Sequence, residues 1–138
     1  MAHKVFVDAN ILMDLAFERR DFYQEAMVIF HLRDIGRVQI YVSALSLAIV
    51  AYFSKKHKKD TGAVIGKFLK WVEVVGLEKK HFLESLTSGI VDFEDALQYY
   101  SATEVVGIDA IVTRNKKDFN PSLIPVFTPK EFLTRIVF

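Results

Sequence analysis

The stretch KVFVDANILMDL, residues 4–15, changes its hydrophobic period at a single residue. β-Branched and aromatic side chains occupy 5–7, Asp8 interrupts them, and Ile11, Leu12 and Leu15 follow at helical spacing. The same transition returns further on. VQIYVSA closes on Ser43 before SALSLAIVAYFSKK, a helical stretch whose apolar character nearly encircles it, and IPVF precedes Pro129, which suits the first turn of a helix. DAIVTRN adds a short strand, 110–113, that ends at Arg114 and Asn115. Short strands that are apolar on both faces and alternate with helices fit a parallel sheet covered on each side. The predicted architecture is a three-layer α/β/α fold around a central parallel sheet.

Between these landmarks, Asn10 is the expected cap of the first helix, and Phe22, Ala26, Ile29, Phe30 and Leu32 mark a second one ending before Gly36. Residues 62–72 read as helix and 72–77 as partly strand, because β-branched residues gather there. EKKHFLESLTSG predicts a helix up to Gly89, and DFEDALQYYSATEVV another, capped by Asp92 and stopped by Gly107. No repeat, low-complexity tract or Pro/Gly/Ser linker divides the chain, so one domain over 1–138 is expected.

Composition narrows the chemistry. Hydrophobic residues make up 51%, enough for one substantial core, and 18 Lys plus Arg against 17 Asp plus Glu leave any nucleic-acid footprint to local charge. The absence of cysteine excludes disulfides, zinc thiolate sites and a cysteine nucleophile. The opening MAHKVFVDAN lacks the layout of a signal peptide, and no apolar run reaches the length of a membrane span, so a cytoplasmic protein is expected.

In open α/β sheets, ligands gather outside the carboxyl ends of the strands, where Asp8 and Asn115 are both predicted. Asp92 and Asp95 stand at a helix start, where backbone amides favour negative charge; they also fit a cap and its third helical position, a purely structural role. If that helix start faces the same edge, the carboxylates converge, and without a cation at least one stays protonated. A hard ion such as Mg²⁺ or Mn²⁺ takes oxygen ligands, keeps several waters and activates one of them for attack on phosphate. Phosphodiester hydrolysis is the chemistry this pattern suits. Each residue has a structural reading as well: Asp8 as a turn or cap, Asn115 as a cap before Phe119, Asp118 as solvated surface.

Together, VFVDANILMDL, VSALSLAIVAYFSKK, DFEDALQYYSA and IDAIVTRNKKDF resemble, in that order and spacing, the PIN-domain family, especially its PilT N-terminus-like and toxin-type members. The resemblance covers nearly the whole chain and is most specific where DFEDALQ is followed by IVTRNKKDF. It implies a compact α/β fold, RNA hydrolysis dependent on Mg²⁺ or Mn²⁺, and, as for many such toxins, a cognate antitoxin as partner. Asp8 matches the first acidic ligand and Asp95 the acidic residue of the internal helix. Asn115 and Asp118 match the TRN…DF segment, where the last acidic position varies. Asn10 matches the polar neighbour that orients Asp8, and Thr113 the hydroxyl beside the cluster.

One departure bears on activity. Many active members carry a glutamate where this chain has Ala48 and Ile49, so Asp14 or Asp92 must substitute if metal is to be held as tightly; Asp14 also reads as an exposed helix residue. A degenerate PIN domain that binds RNA or protein without cleaving is the alternative. Haloacid-dehalogenase-type phosphatases start similarly, but Asn10 replaces their second acid. For RNA phosphates the candidates are Lys55 and Lys56 of the KKHKK cluster, with Arg114 and Lys116; the cluster equally suits a solvated helix end. No histidine is assigned to catalysis. The aromatic residues Phe17, Phe22, Tyr52, Phe53, Tyr99 and Tyr100 exceed what one small core easily buries, which suggests a homodimer.

Overall fold

The computed structural model describes residues 2–135. In chain order it runs β1 (His3–Val7), α1 (Ala9–Ala16), α2 (Tyr23–Asp34), β2 (Val38–Ser43), α3 (Ala44–Lys56), α4 (Thr61–Trp71) and β3 (Glu73–Val75). There follow α5 (Lys79–Leu86), α6 (Phe93–Thr103), β4 (Ala110–Val112), a 3₁₀ turn (Lys116–Phe119), β5 (Val126–Phe127) and α7 (Pro129–Arg135). The strands pair only in parallel, in the order β3-β2-β1-β4-β5.

Strand alternation explains why each strand reads as continuously apolar. Val5 and Val7, Val38, Ile40 and Val42, and Ala110 and Val112 face one core, shared with Ile11, Leu12, Ile29, Val50, Phe68 and Phe132 of α1, α2, α3, α4 and α7. The intervening Phe6 and Ile111 face a second core with Ala96, Tyr99 and Ala102 of α6 and Phe119 of the 3₁₀ turn, and α5 packs on α6. Both faces are therefore buried, as the three-layer reading expects. Phe6 is fully buried, so truncating it to alanine costs about 3–5 kcal/mol.

The strand order fixes where ligands can approach. From β1 the sheet grows through β2 to β3 on one side and through β4 to β5 on the other, so the topological switch lies between the carboxyl ends of β1 and β4. Helices α3 and α4 form a hairpin. Helix α4 must end near the start of β3, and its last turn is held there by Arg33, which donates to the carbonyls of Trp71 and Lys70 at 3.2 and 2.9 Å. The hairpin's tip therefore rises on the carboxyl-end side, where Phe17 at the end of α1 stacks on His57 at 4.9 Å.

Several local expectations need correction. Asp8, not Asn10, caps α1: its backbone is extended and its carboxylate accepts the Ala9 N–H at 2.7 Å, while Asn10 already lies inside the helix. Helix α5 ends at Leu86 rather than Gly89, and α6 at Thr103 rather than Gly107, where β-branched Val105 and Val106 favour leaving the helix. Gly107, at φ +76°, turns the chain into β4. Tyr99 is buried, its hydroxyl accepting the Leu123 N–H at 3.1 Å, whereas Tyr52 is 64% exposed. Helix α5 and the start of α6 expose Phe82, Leu83, Leu86 and Phe93, which the sequence reading did not single out.

Candidate active site

At the switch point, Asp8 leaves β1 buried and held on both oxygens by neutral donors. Oδ1 accepts from the Ala9 N–H; Oδ2 accepts from the Thr113 hydroxyl at 2.8 Å and the Asn10 side-chain amide at 3.3 Å. Thr113 is itself fixed, accepting the Asn115 N–H at 3.1 Å and the Asn10 amide at 3.3 Å. Burial is the main influence raising the Asp8 pKa, opposed by the Thr113 and Ala9 hydrogen bonds and reinforced by the charge of Asp118.

Asp95 approaches the same edge from α6. Asp92 caps that helix by accepting the Asp95 N–H at 3.0 Å, so the cap reading holds, and the acids nevertheless face the strand ends. Burial, then Asp8, Asp92, Asp118 and Glu94, push the Asp95 carboxyl up to about 7. Glu94, which the sequence reading passed over, is raised by burial and by Asp92 and Asp8; its place between the two aspartates of DFED was the available signal. Asp118, exposed on the 3₁₀ turn, joins Asp92 and Asp95 in lining a cleft of about 240 Å³ with Val91, Lys117 and Asn120.

A buried polar latch sets the pose of α6. The Gln98 amide donates to Ser46 Oγ at 2.8 Å and its carbonyl oxygen accepts from the Ser43 hydroxyl at 2.7 Å, while Ser43 caps α3 through the Ser46 N–H at 3.0 Å. Gln98 lies one turn beyond Asp95, so this latch ties the acidic helix start to the end of β2.

Among the described residues, no three His, Asp or Glu side chains are gathered into a ready-made ligand cage. The donor set still suits a hydrated hard cation: Asp8 and Asp95 are carboxylates raised by burial and by neighbouring acids, and Mg²⁺ commonly binds through one or two carboxylates with waters completing its shell.

Other expected site residues lie elsewhere or are engaged. Asp14 is not exposed as one reading had it: it is 1% exposed and takes Arg114 in two hydrogen bonds, Nε to Oδ2 at 2.7 Å and an Nη to Oδ1 at 3.1 Å, with Arg19 at 3.7 Å. Arg114 is thereby committed, its guanidinium also 3.9 Å from the centre of the Phe22 ring. Asn115 is exposed and its side chain does not cap the 3₁₀ turn. Ala48 is exposed and Ile49 half-buried on α3, and neither can ligate a cation. Lys116 pairs with Glu131 at 3.2 Å, while Lys55 and Lys56 end α3 just before His57, which stacks on Phe17 at the opposite end of α1 from Asp8. His81 is buried in a cap, accepting the Glu78 N–H at 2.8 Å and lying 2.9 Å from Glu104.

Comparison with known proteins agrees with this architecture. The chain is 26% identical over 140 residues to Ribonuclease VapC1 of Aquifex aeolicus, covering 97% of this chain and 96% of that protein. Its fold is shared by VapBC2 from Rickettsia felis bound to a promoter DNA fragment (TM-score 0.64, 20% identity, 90% of this chain and 96% of that one). A toxin-antitoxin complex from Klebsiella pneumoniae aligns at TM-score 0.66 and 23% identity, covering 91% and 97% of the two chains. PAE2754 from Pyrobaculum aerophilum aligns at TM-score 0.61 and 18% identity, covering 99% and 91%. A PIN domain family model matches residues 4–117, from the start of β1 into the 3₁₀ turn, and the chain belongs to the PIN domain family.

Proposed function

We propose that this chain is a divalent-metal-dependent endoribonuclease acting as the toxin of a toxin–antitoxin pair. One observation carries the reading: Asp95 feels the charges of Asp8 and Asp118 from two other segments, and among the described residues no ion pair engages any of the three. Convergent acids left without a cation are costly unless an ion neutralises them. Asp8 and Asp95 hold the ion, with Asp118 and Asn115 beside it. When bound, Mg²⁺ or Mn²⁺ supplies a water activated for attack on phosphorus and a charge that stabilises the transition state.

The surrounding residues keep the acids in place. Thr113 and Asn10 lock one Asp8 oxygen through neutral hydrogen bonds and form no ion pair with it, which preserves its capacity as a ligand. Asp92, by capping α6, and Gln98, by latching it, hold Asp95 toward the strand ends. Lys55, Lys56 and Lys116 are assigned to RNA phosphates. For the antitoxin we assign the groove of about 340 Å³ in which Leu15, Tyr23, Val64, Phe68 and Trp71 are bordered by Glu18, Lys59 and Lys67, a mixed lining that suits an amphipathic helix. The shared fold of the Klebsiella pneumoniae toxin-antitoxin complex supports that partner. A homodimer is assigned to α5: Phe82, Leu83 and Leu86 form its apolar surface, and antiparallel pairing would set Lys79 against Glu84 of a second copy.

The test is cleavage of single-stranded and structured RNAs by antitoxin-free protein, with Mn²⁺ or Mg²⁺ and with chelator. Cleavage that needs metal and is lost in both Asp8→Asn and Asp95→Asn is the expected result. Folded native protein that cuts none of the RNAs in either metal would overturn it and favour the non-cleaving binding module that Ala48 and Ile49 suggest.

A further inference from the structure

Lys117 and Asn120 border two cavities at once. One is the acidic cleft with Asp92, Asp95 and Asp118; the other, of about 610 Å³, is lined by Arg114, Asn115, Lys116, Lys117, Asn120, Ser122, Ile124, Pro125 and Val126. The second groove contains no Asp or Glu in its lining. Its donors differ in availability. Arg114 is bound to Asp14, Lys116 to Glu131, and Ser122 Oγ donates to the Ile124 carbonyl at 2.7 Å. Among the described residues, the Lys117 ammonium makes no ion pair and the Asn120 side-chain amide no hydrogen bond, although Lys117 adjoins Asp118 in sequence. A free cation and a free amide thus stand on the ridge between a cleft suited to a metal ion and a groove whose lining holds no acid and has an apolar wall.

We propose that this groove is a nucleotide subsite for single-stranded RNA, in which Lys117 and Asn120 bind the phosphate next to the one cleaved and Ile124 and Val126 pack against its nucleoside. The inference rests on the ribonuclease reading above and adds the path by which the strand leaves the carboxylates. Phosphates bring negative charge that the acidic cleft repels everywhere except at a bound ion, so a strand crossing that edge needs a cation immediately beside it. Lys117 meets that need from a surface position. The apolar wall offers contact to a sugar or base face without reading its hydrogen-bonding edge, which predicts weak sequence preference at this position.

The test uses the native chain and Lys117→Gln, with Lys70→Gln on the opposite edge of the sheet as control. Binding of a short mixed-sequence single-stranded oligoribonucleotide is measured by fluorescence anisotropy across a salt series, with Ca²⁺ in place of Mg²⁺, and Mn²⁺ affinity is measured by calorimetry without RNA. Lys117→Gln should weaken RNA binding about 3- to 10-fold and lower the salt slope by about 0.7, the value for one phosphate contact, while Mn²⁺ affinity and the Lys70→Gln curves stay at native values. A changed Mn²⁺ affinity with an unchanged salt slope would show that Lys117 acts on the carboxylates and overturn the subsite. Native RNA binding with a superimposable Lys117→Gln curve would overturn it as well and leave the ribonuclease reading standing. Native protein that binds no RNA would remove both.

Discussion

Asp8 and Asp14 both belong to the first helix, one as its cap and one within it, and both are nearly inaccessible to solvent, at 7% and 1% exposure. Their surroundings are opposite. Asp14 meets the Arg114 guanidinium in a two-pronged ion pair, with Arg19 alongside, so its charge is answered inside the protein. Asp8 receives only an amide N–H, a hydroxyl and a side-chain amide, and faces Asp95 and Asp118. Burial alone therefore does not separate a structural acid from a functional one; the identity of the partners does.

The comparison is sharpest where each charge is removed while shape is kept. Asp14→Asn leaves Arg114 without its anion, and chemical denaturation should show a loss of about 3 kcal/mol, the lower end for a broken buried pair because Arg114 is 23% exposed. Asp8→Asn should do the reverse. An asparagine still caps α1, so stability holds or rises, while metal-dependent RNA cleavage falls by more than about 100-fold. If Asp8→Asn unfolds the chain and Asp14→Asn spares it, the assignment of roles is wrong.

Thr113→Val separates orientation from charge at Asp8. Loss of the 2.8 Å hydrogen bond should lower Mn²⁺ affinity about 10-fold, read by calorimetry, with the fold intact. A further effect concerns pH. The Asp95 pKa is raised in the folded chain from 3.8 to about 7, so its contribution to stability is fully present below the unfolded value and is lost as pH rises toward and through 7. Metal-free protein should accordingly lose thermal stability between about pH 4 and pH 7, Asp95→Asn should flatten that slope, and Mn²⁺ should stabilise more at the alkaline end. A native profile that rises across this window would refute the carboxylate cluster as described.

How far the site was legible follows from the range of the interactions involved. The carboxylates Asp8, Asp92 and Asp95 stand out because each sits at a junction between local elements, and junctions show in hydrophobic period and capping residues, whereas Asp118 is marked only by the resemblance of its TRN…DF segment to the PIN-domain pattern. Asp14 was misread because its partner lies 100 residues away, and a mid-helix aspartate has no local mark distinguishing solvent from a buried arginine. Arg114, expected to meet RNA, also forms that same pair. Glu94 was overlooked because a first-turn glutamate is ordinary on helical grounds, and only the facing of α6 toward Asp8 gives it weight.

The sequence by itself determined the layered parallel sheet and the placing of Asp8 at a strand end, since the change from period 2 to helical spacing and the doubly apolar strands are properties of neighbouring residues. The tertiary structure alone decided which acids are neutralised and which confront one another. That choice depends on β4 lying beside β1, which brings Thr113 to Asp8 and Arg114 to Asp14 across more than 90 intervening residues, and nothing in the local chemistry of either segment encodes the pairing.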